Sequence, residues 1–81
     1  MNPLDTLAVV SLPDLIRTRA TGHLERLSCA EDVLVLRLAM ERAEGFVEGL
    51  EASRALTLAT VEALYIAFEN VGESRRLELK P

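Results

Sequence analysis

Residues 28–52 read SCAEDVLVLRLAMERAEGFVEGLEA, and this stretch decides the fold. Its opening, Ser28-Cys29-Ala30-Glu31, has the S-x-x-E spacing of a capping box. In that motif a serine oxygen accepts from the backbone N–H three residues on, and the glutamate reaches back. Asp32 adds a second carboxylate at the positive end of the helix dipole. Cys29, Val33, Leu36, Met40, Ala43, Val47 and Leu50 then alternate spacings of four and three, the seam of an α-helix. Leu34, Leu38 and Phe46 widen that seam toward the broad apolar face of a bundle helix. Gly45 and Gly49 each cost about 1 kcal/mol against alanine. Val47 and Leu50 keep the period, so the helix is expected to reach about Ala52. The Gly45-x-x-x-Gly49 spacing is read as a weak mark of close interhelical contact.

Downstream, Ser53 or Thr57 offers a cap. Leu58, Val61, Tyr65 and Phe68 repeat the spacing of three and four, with Leu64 and Val71 flanking them. A helix is expected from about residue 55 to Val71, with Gly72 as its stop. Ala55, Ala59, Ala63 and Ala67 form a stripe of small residues four apart, which lets helices approach closely. Arg75 to Lys80 alternates polar and apolar residues, a short strand signature. Upstream, Ser11 is read as an N-cap, Pro13 and Asp14 as the first turn, and Gly22 as the stop after about Ala20. His23 to Leu27 becomes a link or one extra turn. The apolar residues before Ser11 fit either helix or strand.

The fold class expected is all-α: an antiparallel helical hairpin of about residues 28–52 and 55–72 with a shorter N-terminal helix. One hairpin cannot bury two wide apolar faces, so a second copy is expected to complete a homodimeric four-helix bundle. The lesser alternative pairs short terminal strands, residues 5–10 and 75–80, beside the helices. The side chains expected to form the core or interface are Val33, Leu36, Met40, Ala43, Val47, Leu50, Leu58, Val61, Tyr65 and Phe68.

The bulk composition supports this. Fifteen leucines and ten alanines, against three aromatic residues, favour helix over sheet. Eighty-one residues make one domain, and a chain of that size buries only about 60–65% of its unfolded surface. Cys29 is the single cysteine and His23 the single histidine. No intrachain disulfide or ordinary His/Cys zinc site is therefore available, and a partner surface is the remaining support.

The formal net charge is −4, unevenly spread. The middle of the chain is acidic and the last residues are basic, a poor footprint for nucleic-acid phosphates. The opening MNPLD has no signal-like pattern. The longest apolar stretch, Ala55 to Phe68, is too short to span a bilayer. A cytoplasmic protein is expected, and eight arginines against one lysine point to a bacterial source.

Each reactive residue has a bland reading that outweighs a catalytic one. Cys29 reads as a small seam hydrophobe, despite a helix start that could activate its thiol. His23 reads as an exposed link residue, not a pH switch. Glu41, Glu44, Glu48 and Glu51 read as a solvated face, with an acidic docking face as the sharper reading. Arg17, Arg19, Arg26, Arg75, Arg76 and Lys80 form a basic patch only if the chain ends meet. Tyr65 is expected in the core with its hydroxyl partnered. With no base–nucleophile constellation in sight, neither an enzyme nor a cofactor is expected. The expected function is a non-catalytic protein–protein interaction module: a regulator, adaptor, chaperone-like protein or inhibitor. Its expected partners are a second copy and another protein. A small nucleic-acid-associated regulator using the terminal arginines is the alternative.

Overall fold

The computed structural model describes residues 7, 8 and 10–80. They form three helices, α1 (Asp14–Ser28), α2 (Val33–Ser53) and α3 (Leu58–Leu79), and each packs on the other two. The architecture is therefore an all-α three-helix bundle. No strand occurs among the described residues. The Val10 N–H donates to the Leu7 carbonyl at 3.1 Å. Residues 5, 6 and 9 of the proposed strand lie outside the described residues, and 75–79 are helical.

α1 corrects the expected stop at Gly22. The helix runs through it to Ser28 and makes the expected link, His23 to Leu27, its last turns. Ala20, Leu24 and Leu27 recur at helical spacing and are fully buried. Burying a leucine is worth about 1.5–3 kcal/mol, which outweighs the roughly 1 kcal/mol cost of a helical glycine. Ser11 is not the cap: Pro13 precedes the first turn without a capping side chain.

The capping box is corrected too. Ser28 belongs to α1, and its hydroxyl donates back to the Glu25 carbonyl at 3.1 Å. Asp32 caps α2 instead, its carboxylate accepting from the Val35 N–H at 2.8 Å. Because α2 starts four residues later than the motif implied, Cys29 lies in the link, exposed, and off the seam. Leu36, Ala39, Ala43 and Val47 are buried, with Met40, Phe46 and Leu50 partly so. Val33, Leu34 and Leu38 are 56, 58 and 51% exposed and do not join the core. α2 ends at Arg54, whose φ of 57° is left-handed. There the Ala55 N–H reaches back to the Leu50 carbonyl at 3.3 Å.

α3 starts at Thr57, whose hydroxyl accepts from the Thr60 N–H at 3.2 Å. Val61, Leu64, Ala67, Phe68 and Val71 face the core. Leu58 does not, at 76% exposed. Of the alanine stripe, only Ala67 is buried. Gly72 was expected to end this helix. It is instead buried inside it, where a Cβ would lie 2.5 Å from the Met40 sulfur. α3 crosses α2 at this point because the residue has no side chain.

Candidate functional site

The surface most unlike that of a self-contained bundle belongs to the first turns of α2. Val33, Leu34, Val35 and Leu38 are all roughly half exposed there. Beside them lies an open groove of about 610 Å³ lined by α2 and α3. Its floor is Val33, Leu36, Met40 and Gly72, and its rim is Arg37, Glu69, Asn70, Glu73 and Arg76. Arg76 holds Glu73 by two hydrogen bonds, 2.6 and 2.9 Å, one turn apart on α3. That contact draws the Glu73 carboxyl below its ordinary range. The rim charges are thus partly neutralised, and the floor offers only apolar atoms.

The acidic band lies where helical spacing places it. Glu41, Glu44, Glu48 and Glu51 are all exposed along α2. Tyr65 of α3 is partly buried alongside, and its phenol is pushed up by partial burial and by Glu51, Glu48 and Glu44. Gly45 and Gly49 lie on the solvent side of the same helix. A Cβ at either meets nothing within 4 Å, so the close contact that their spacing suggested is not made inside the chain.

The terminal arginines do not converge into a free patch. Arg17 donates to the carbonyls of Leu7 (2.8 Å) and Val10, tying the segment before α1 to the bundle. Arg75 donates from Nε to the Ala30 carbonyl at 2.9 Å and pairs with Glu78 at 3.3 Å. Arg76 is held by Glu73. Arg19 and Lys80 are exposed.

His23 is the residue whose place differs most from expectation. It sits within α1, not in a link, with its ring 4.9 Å from Phe46 of α2 and 6.0 Å from Phe68 of α3. Its Nδ1 is buried with no hydrogen-bond partner. Burial, then the nearby Arg26 and Arg42, lower its pKa below 6.5. The imidazole is thereby kept neutral and used as an aromatic wedge among the three helices. Once α1 is carried past Gly22, this position follows, since His23 lies three residues after buried Ala20 and four before buried Leu27.

Among the described residues, no group of three or more His, Cys, Asp or Glu side chains is placed to hold a metal ion. Nor is any helix long and apolar enough to cross a membrane. No family model matches the chain, and neither a curated protein nor a solved structure matches it significantly.

Proposed function

We propose that the chain is a small non-catalytic helical protein–protein interaction module, dimeric in its working form, of the kind used by regulators, adaptors, chaperone-like proteins and inhibitors. The observation that carries this reading is the half-exposed run of Val33, Leu34, Val35 and Leu38. Covering one such side chain is worth on the order of 1 kcal/mol when half of it is already buried. Leu34 and Leu38 share one face of the helix, with Val33 and Val35 on either side of it, and make a contact surface. The single histidine and the single cysteine point elsewhere: His23 is wedged between phenylalanines, and the Cys29 sulfur has the Ser28 hydroxyl beside it, at 3.8 Å. The nucleic-acid alternative is weakened because Arg17, Arg75 and Arg76 are engaged within the bundle. The free thiol of Cys29 suits a reducing compartment, and the reading places the module in the cytoplasm.

Sedimentation velocity over a wide concentration range tests the proposal. The expected result is a monomer–dimer equilibrium that Leu34→Glu with Leu38→Glu shifts to monomer. A wild-type protein that remains monomeric at every concentration and binds no apolar probe dye would refute it.

A further inference from the structure

The outward face of α2 carries a pattern that fits its own reverse. At 3.6 residues per turn, Leu34, Leu38, Gly45 and Gly49 fall within an arc of about 60°. That arc lies about 170° from the buried stripe of Leu36, Ala43 and Val47, so the face looks directly away from α1 and α3. All four residues are exposed. The bulky pair lies in the N-terminal half of the helix and the two glycines in the C-terminal half. A parallel copy would set leucine against leucine and leave a gap at the glycines. An antiparallel copy sets each leucine against a glycine.

We infer that two copies of the chain associate through this face, antiparallel, about a two-fold axis passing between Glu41 and Arg42. The inference rests on the dimeric reading above and adds the surface and the register. Such an axis places Leu34 opposite Gly49 of the second copy and Leu38 opposite Gly45 of the second copy. Both glycines have open space above them, so the leucines find sockets and the helix backbones approach closely. Charges follow the same register. Glu41 and Arg42 straddle the axis on opposite flanks of the face, so each comes beside its own symmetry mate with the opposite charge across the seam. On the flank, Arg37 comes alongside Glu48 of the second copy, and its mate does the same. An isologous interface requires this self-complementarity, in which residue i meets j and j meets i. One helix face of about 31 by 10 Å is small for a dimer. The association is therefore weak and concentration-dependent.

Site-directed disulfide formation in a Cys29→Ser background tests the register. Glu41→Cys is expected to cross-link to itself. Leu34→Cys is expected to cross-link to Gly49→Cys when the two variants are mixed, and not to itself, because two Leu34 positions lie about 22 Å apart along the antiparallel pair. Arg37→Glu is expected to weaken association roughly threefold to tenfold, and adding Glu48→Arg to restore it. Gly45→Leu with Gly49→Leu separates dimerisation from folding. Neither side chain meets anything within the chain, so the monomer is expected to gain stability while the dimer is lost. A dimer that forms without these cross-links, or that survives the leucine pair, overturns the antiparallel α2 interface and leaves the interaction-module reading standing. A protein that is monomeric throughout overturns both.

Discussion

Replacing Gly72 with alanine adds one methyl group where α3 has no room for it. The new Cβ would lie 2.5 Å from the Met40 sulfur and 3.4 Å from its Cγ. Comfortable non-bonded separation is about 3.5–4.0 Å, so the thioether must retreat by about 1 Å or more. Overpacking of this kind costs about 1–3 kcal/mol. Alanine returns about 1 kcal/mol through helix propensity, which leaves a net destabilisation of about 0–2 kcal/mol. The same substitution at Gly45 or Gly49 meets nothing within 4 Å. There only the propensity term acts, and each variant should gain about 1 kcal/mol, or about 4–8 °C in Tm. Urea titrations in dilute solution measure all three. The decisive comparison is a double-mutant cycle with Met40→Ala. Once the sulfur is removed, Gly72→Ala should change sign and become stabilising, with a coupling of about 1–3 kcal/mol. If Gly72→Ala stabilises the wild-type chain as much as Gly45→Ala does, and Met40→Ala leaves its effect unchanged, then the packing of α3 on α2 is not as described.

Three further outcomes follow from the local geometry. The His23 pKa is lowered in the fold from about 6.5 in the unfolded chain, so between those two values the unfolded state binds the extra proton. The stabilisation from neutral His23 is complete above about pH 6.5 and is lost as pH falls toward the native value. His23→Gln should flatten stability profiles measured from about pH 7.5 to about pH 5.5, and an unchanged slope would contradict the assignment. Asp32→Ala should cost about 1 kcal/mol by removing the α2 cap, whereas Ser28→Ala should cost only a few tenths; equal losses in chemical denaturation would restore the capping box. Arg54→Gly should stabilise by about 0.5–1 kcal/mol, because the left-handed φ of 57° strains any residue with a Cβ. A lower thermal midpoint would show that the arginine side chain contributes more than its backbone costs.

The core of α2 was legible because Leu36, Ala43 and Val47 keep a helical period over three turns. What misled was local punctuation. Gly22 and Gly72 look like stops when only neighbours in sequence are considered. Both are overridden by burial that depends on residues far away, Gly72 most plainly through Met40. Ala39 is buried yet carried no signal, since alanine is as common outside a core as within it. The reading of 75–80 as a strand rested on alternation alone. The Glu73–Arg76 and Arg75–Glu78 pairs, each three residues apart, already had helical spacing. The shift of the seam away from Val33 followed from misplacing the cap by four residues, which is more than one turn of helix. Val33, Leu34 and Leu38 are exposed, while Leu36, Ala43 and Val47 of the expected seam are buried. The glycine pair, read as a contact within the bundle, faces solvent instead.

The bond from Arg75 to the Ala30 carbonyl joins residues 45 apart in sequence. The corner between α1 and α2 is therefore finished by a side chain made long after the corner itself. At a synthesis rate of about 5–20 residues per second, some 2–9 s separate the two. Without Arg75, the Ala30 carbonyl has no side-chain donor at this corner. A free chain truncated before Arg75 should exchange faster around Ala30 than one that runs through Leu79. The C-terminal part of α3 thus closes a corner formed by the other two helices.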